Sequence, residues 1–197
     1  MTHTLQSISV FCGSSMGTDP KFLEAAMKTG TFLANQGIRI IYGGARVGLM
    51  GAVADSAIKS GGEVVGVIPE FLMSKEIAHN GLSKLITVKS MQERKTRMND
   101  LSDAAIILPG GFGTLDEMFE LLTWGQLGLH KKPVGLLNVN GFWDHLVSSI
   151  DKMVEFNLLR HSHRNMLIVG EDLSTLFDAM ELYEAPNKAK WMEKDQV

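Results

Sequence analysis

Short apolar runs bounded by glycine, proline or hydroxyl residues recur along the chain, separated by longer stretches with an apolar residue every three or four positions. The short runs read as strands and the longer stretches as amphipathic helices. Strands are predicted at residues 8–12, 38–42, 63–68, 85–88, 104–108, 134–138 and 166–169. An uninterrupted run such as Ala104 to Leu108 has no polar face, which is the habit of strands inside parallel sheets.

Helix signals fill the intervals. Asp19 is placed as an N-cap with Pro20 at the first helical position, and apolar spacing continues through Phe22, Leu23, Ala26, Phe32 and Leu33 until Gly37. Ser90-Met91-Gln92-Glu93 forms a capping box for a helix to about Leu101. Further helices follow Gly43-Gly44 to near Gly61, Thr114 to about Gly128, Gly141 to about Phe156, and Asp172 to Tyr183. Pro69 to Ser83 is a longer connection, of the length that usually serves function. Alternating strand and helix predicts the α/β class: a three-layer sandwich, Rossmann-like, with a mostly parallel sheet and helices on both faces. Residues 1–183 read as one domain and 184–197 as a polar C-terminal tail.

Composition narrows the setting. At 197 residues one domain buries about 70% of its unfolded surface and needs no disulfide or metal to fold. A net charge of −3 gives no overall attraction for nucleic acid or an anionic membrane, so neither is expected as a partner. The single cysteine, Cys12, cannot form an internal bridge, which suits a reducing compartment. No basic segment precedes a long apolar stretch, and a soluble cytoplasmic protein is expected. His161 and His163 have no cysteine or acidic partner in a metal-binding spacing, so no metal is expected. His79 reads as an ordinary surface histidine.

The chemistry is carried by three glycine turns that each follow a strand: Gly13-Ser14-Ser15, Gly43-Gly44 through Gly48, and Gly110-Gly111-Phe112-Gly113-Thr114. Ligands of open α/β sheets bind above the strand carboxyl ends at the switch in strand order, where these turns would converge. Amides uncovered by side chains, at the positive end of a helix dipole, suit a phosphate. The G-x-G-x-x-G fingerprint is absent, so no dinucleotide and no other cofactor is expected.

Two readings of Glu117 stand side by side. Thr114 and Glu117 form T-x-x-E, a capping box that would merely tie down the first helical turn. Alternatively, Asp116, Glu117, Glu120 and Thr123 share a helix face with Trp124 and Leu127, opposite Leu115, Met118, Phe119, Leu122 and Leu129. A merely solvated face has no use for that tryptophan. A carboxylate repels phosphate, so Glu117 would serve another part of the substrate. It could orient a water, or stabilise the oxocarbenium-like charge that develops as an N-glycosidic bond breaks. Arg94 and Lys95 interrupt the apolar stripe of Met91, Met98 and Leu101. Either they snorkel from a core edge, or they reach an anion held by the 110–114 turn.

The nonapeptide Pro109 to Glu117 matches P-G-G-x-G-T-x-x-E, Gly48-Leu49-Met50-Gly51 matches G-L-M-G, and Met91 to Lys95 matches M-x-x-R-K. In these segments the chain resembles the cytokinin riboside 5'-monophosphate phosphoribohydrolases, the Lonely Guy proteins, whose bacterial members were long labelled lysine decarboxylases. The resemblance implies a small-molecule nucleotide substrate, an N6-substituted adenosine 5'-monophosphate or AMP itself, hydrolysed to free base and ribose 5-phosphate. It implies Arg94 and Glu117 as the catalytic pair, with Gly110, Gly111, Phe112, Gly113 and Thr114 on the phosphate. Ser14, Gly43, Gly44, Glu76, Lys95 and Thr123 would complete the binding residues. It also implies a homodimer or higher homo-oligomer, to which the apolar Phe119, Leu122 and Trp124 add support. The rival is a nucleotide carrier or sensor using the same cradle without chemistry, which loss of Arg94 or Glu117 would mark; both are present. A decarboxylase finds no lysine in a recognisable pyridoxal-phosphate setting.

Overall fold

The computed structural model describes residues 4–73 and 78–186. Its elements in chain order are β1 (Ser7–Phe11), α1 (Pro20–Asn35), β2 (Arg39–Tyr42), α2 (Gly48–Lys59), β3 (Val64–Pro69), α3 (Glu70–Met73), β4 (Lys84–Val88) and α4 (Met91–Asp100). There follow β5 (Ala104–Ile107), α5 (Phe112–Gln126), β6 (Val134–Leu137), a 3-10 turn (Val139–Gly141), α6 (Asp144–Glu155), α7 (His161–Arg164), β7 (Leu167–Gly170) and α8 (Leu173–Glu181). Helix starts obey their capping chemistry. Asp19 Oδ1 accepts from Lys21 N at 2.9 Å, Ser90 Oγ from Glu93 N at 3.1 Å, and Asp172 Oδ1 from Thr175 N at 3.0 Å.

Every strand pair is parallel, and the order is β4-β3-β2-β1-β5-β6-β7. The chain therefore builds outward from β1 in one direction and returns to build outward from β5 in the other. The switch lies between those two strands. Their register, Ile8 opposite Ala104 through Phe11 opposite Ile107, brings both carboxyl ends to the same level. Gly13 N accordingly donates to Pro109 O at 3.0 Å, and Leu49 N donates to Gly13 O at 3.1 Å, so three turns are knitted into one rim.

Alternation along the strands divides the apolar residues between two cores. Ile8, Val10, Ile40 and Ile106 pack with Leu33 of α1, Val53 of α2 and Leu176 of α8. Phe11, Ile41, Val67 and Ile107 pack with Met98 of α4, Met118 and Leu121 of α5 and Ile150 of α6. This is the expected three-layer arrangement, with a sheet wholly parallel in place of mostly parallel.

Four expectations are corrected. The helix expected from Thr114 begins at Phe112 with Gly111 as N-cap, because the open glycine backbone already supplies the entry geometry. The Pro69 to Ser83 connection contains the one-turn helix α3. On α5 the buried stripe is Thr114, Met118 and Leu121, while Phe119 is exposed, so the apolar face is rotated from the one the residue spacing predicts. His79 is no ordinary surface histidine. Its Nε2 meets Asp55 Oδ1 at 2.9 Å, its Nδ1 accepts from Gly81 N at 3.0 Å, and its side chain is 10% exposed. The polar tail from residue 187 onward lies outside the described residues.

Candidate active site

Above the carboxyl ends of β1 and β5 lies a cavity of about 280 Å³. Cys12, Gly13 and Ser14 leave β1 on one side, and Gly111, Phe112, Gly113, Thr114, Asp116 and Glu117 leave β5 on the other. Met50, Leu72 and Met91 form an apolar wall, and Arg94 enters from α4. The cavity thus occupies the place the strand order assigns to a ligand.

The β5 side is an uncovered helix start. Gly111 has no side chain to cap α5, and the first intrahelical donor among its neighbours is Leu115 N, which reaches Gly111 O at 3.1 Å. The preceding first-turn amides have no intrahelical acceptor to use. Among the described residues nothing lies within 4 Å of where a Cβ would stand at Gly111 or Gly113, and Phe112 is 93% exposed. Gly110 serves a different end, since a methyl there would overlap Thr114 Oγ1. Thr114 is buried below the cradle. Backbone amides, a nearby hydroxyl and the positive end of a fifteen-residue helix together favour an anion of phosphate size.

Arg94 brings the cation. Its side chain is buried, and a methyl at Gly43 would overlap Nη2, so Gly43 is the seat on which the guanidinium rests. Nη1 has only Met91 Sδ at 3.8 Å, and buried Nε has no partner among the described residues. A guanidinium so poorly satisfied in a buried setting is costly unless it serves a ligand.

Glu117 faces the same cavity from the second turn of α5, and no ion pair joins it to Arg94 among the described residues. Burial pushes its carboxyl up from the usual carboxylate value of 4.5 to about 7. The positive charge of Arg94 acts against that rise, Asp116 adds to it, Lys95 opposes it and Glu120 adds to it. The capping-box reading of Glu117 fails on position, because Thr114 is the third residue of the helix and not its cap. Cys12, on the cavity floor, is buried beside Glu117, and both burial and that carboxylate raise its thiol far above the usual range.

The structure does not gather every residue expected at the site. Gly44 has φ +79, packs against Leu85 and Ile68, and offers its carbonyl to His79 N at 3.0 Å, so it shapes the neighbouring loop. Lys95 turns aside to Asp116 Oδ2 and Glu120 Oε1, each at 3.1 Å. Thr123 lies on the outer side of α5, in a separate groove of about 140 Å³ with Phe119, Leu122, Ile150 and Met153. Glu76 falls outside the described residues. Cys12, Met50, Leu72, Met91 and Asp116 line the cavity without having been assigned to it. Met50 and Met91 sit inside the quoted motifs, which was the available signal; Leu72 offered none.

The sequence model of a family described as "Possible lysine decarboxylase" matches residues 50–180. A cytokinin riboside 5'-monophosphate phosphoribohydrolase of Arabidopsis thaliana is 41% identical over 195 residues, covering 96% of this chain and 90% of that protein. A probable cytokinin riboside 5'-monophosphate phosphoribohydrolase of Oryza sativa subsp. japonica is 43% identical over 176 residues, covering 89% and 78%. Among solved structures, the Moco carrier protein from Chlamydomonas reinhardtii matches with a TM-score of 0.68 at 20% identity, covering 91% of this chain and 97% of that one. The molybdenum cofactor binding protein of Rippkaea orientalis matches with a TM-score of 0.64 at 23% identity, covering 91% and 95%. At such identities the likeness to these two concerns the fold alone.

Proposed function

The chain belongs to the family of cytokinin riboside 5'-monophosphate phosphoribohydrolases, and from that premise we propose a division of labour within its cleft. The protein hydrolyses the N-glycosidic bond of an adenosine 5'-monophosphate, N6-substituted or plain, to free base and ribose 5-phosphate. The amides of Phe112, Gly113 and Thr114 hold the phosphate, with the Thr114 hydroxyl below them and Ser14 on the opposite rim. Arg94, seated on Gly43, supplies positive charge to the substrate. Glu117, whose negative charge repels a phosphate, works at the sugar carbon that carries the base.

One observation carries this reading: a carboxyl held near 7 opposes a poorly satisfied guanidinium across one cavity, at the switch of a parallel sheet. A group that transfers protons works best with a pKa near the operating pH, whereas a purely electrostatic stabiliser gains nothing from one. Glu117 is therefore the base that takes a proton from the attacking water. The water oxygen bonds to C1', the electron pair of the C1'–N bond leaves with the purine, and the purine gains a proton, so one water is consumed per bond broken.

A pyridoxal-type decarboxylation finds no support. Its lysine must be readily deprotonated beside the site, yet Lys95 is held above the usual lysine range. Burial works against that charge, and the bonds to Asp116 and Glu120 outweigh it. Lys132 is held low by burial, but it precedes β6 and donates to Asn99 O, at the amino end of the strands. We further read residues 1–183 as one nucleotide-binding domain acting as at least a homodimer in the cytoplasm. Phe119, Met153, Phe156 and Leu158 are exposed apolar residues on and beside α5 and α6, which suits a second copy. Thr123 would then reach substrate only from across that interface. No helix among the described residues is long and apolar enough to cross a membrane.

Chromatography of the protein incubated with AMP, and separately with N6-isopentenyl AMP, tests the reading. Free base and ribose 5-phosphate in equal amounts are expected. Nucleotide bound tightly but recovered intact would favour a carrier instead.

A further inference from the structure

The catalytic pair proposed above is split between two helices that rest on different strands: α4 lies against β3 and β4, and α5 against β1 and β6. Among the described residues no bond joins Arg94 to Glu117, so their separation must be set elsewhere. Among the described residues the polar links across the gap are few. Lys95 Nζ stands 3.1 Å from Asp116 Oδ2 and 3.1 Å from Glu120 Oε1, and Gln92 Nε2 donates to Glu120 Oε1 at 3.4 Å. The Lys95 and Glu120 side chains are 14% and 17% exposed, so this is not a loose surface pair. Lys95 follows Arg94 directly, while Asp116 and Glu120 flank Glu117 within one helical turn.

We propose that Lys95 is a positioning residue: by bridging Asp116 to Glu120 it fixes Arg94 against Glu117 and offsets part of the charge of the two carboxylates beside Glu117. The charged and titratable groups facing Glu117 are Cys12 at the end of β1, Arg94 and Lys95 from α4, and Asp116 and Glu120 from its own helix. Removing Lys95 leaves two uncompensated carboxylates beside a third. The proton on Glu117 is then held more tightly, and α4 is freed to drift from α5.

The inference rests on the function proposed above, and its test separates the two. kcat and KM are measured against pH for the wild type, Lys95→Met, Lys95→Arg and Glu120→Gln. The Glu117 carboxyl is titrated in each by carbon-13 NMR, with its signal assigned by its loss in Glu117→Gln. Lys95→Met is expected to lower kcat by roughly 10- to 100-fold, the scale of a displaced catalytic group, with KM changed less than about threefold. The Glu117 midpoint should move up in Lys95→Met and largely return in Lys95→Arg, whose fork can span both carboxylates. It should move down in Glu120→Gln, which keeps the test decisive even if Lys95→Met does not fold. A raised KM with kcat and midpoint unchanged would make Lys95 a substrate ligand and overturn the inference, as would a midpoint unmoved in Glu120→Gln. If the wild type releases no base but the midpoints move as stated, the clamp stands and the proposed activity falls.

Discussion

The turn that leaves β2 is filled by the protein itself, whereas the turn that leaves β5 stands open. Gly43 lacks a side chain so that the Arg94 guanidinium can rest on it, and Gly44 packs against Leu85 and Ile68. Among the described residues nothing stands near the Cβ positions of Gly111 and Gly113, and the amides around them begin a helix that no side chain caps. In both turns the absence of a Cβ brings a charged or polar group close to backbone. On the β2 side that group is the chain's own cation, and on the β5 side, under the proposed function, it would be the phosphate of the substrate. The difference teaches that one cradle is made by two turns of similar composition, one seating the charge and one presenting the dipoles.

Removing the acid on the open side gives the largest expected effect. Glu117→Gln should lower base release by about 10²- to 10⁴-fold, the usual contribution of a proton-transfer group, with nucleotide affinity little changed. The same variant has a stability signature whose sign follows from the carboxyl. Its folded value of about 7 exceeds the ordinary 4.5, so between these limits the folded state binds more protons than the unfolded chain, and stability falls as pH rises. Glu117→Gln should therefore melt with the wild type at about pH 4 and above it at about pH 8. Equal melting at both pH values would mean that the carboxyl titrates normally.

Filling the closed side comes next. Gly43→Ala puts a methyl onto Nη2 of Arg94, so kcat should fall by about 10²-fold as the cation is displaced, with a loss of about 1–3 kcal/mol in stability. Gly113→Ala, on the open side, should do the reverse to the fold. The added methyl meets nothing among the described residues and alanine favours a helix, so stability should rise by about 0.5–1 kcal/mol. KM for AMP should rise severalfold, because the methyl would intrude where the phosphate is proposed to sit. Calorimetry and steady-state kinetics on both variants would erase the contrast between the turns if the two behaved alike.

Much of this was legible in the sequence because burial leaves a local mark. β1, β2, β5 and β6 are short apolar runs because both faces are covered, and Asp19, Ser90 and Asp172 announce the helices they cap. Arg94 could be suspected because a cation in an apolar stripe needs a partner. The start of α5 was misplaced because T-x-x-E imitates a cap, while the true cap, Gly111, has no side chain to signal itself. The partners of Lys95 and His79 could not be seen, since each depends on how two distant elements are seated. Leu72 reaches the cavity from a one-turn helix too short to leave a periodic pattern.

The central claim, that the amides opening α5 grip the phosphate, is tested most directly by following the backbone amide resonances while nucleotide is added to Glu117→Gln. AMP and inorganic phosphate should shift Phe112, Gly113 and Thr114 strongly and downfield, while adenosine should leave them nearly unmoved. Shifts concentrated at Gly43, Gly44 and Gly48 instead, with the α5 amides silent, would contradict the account.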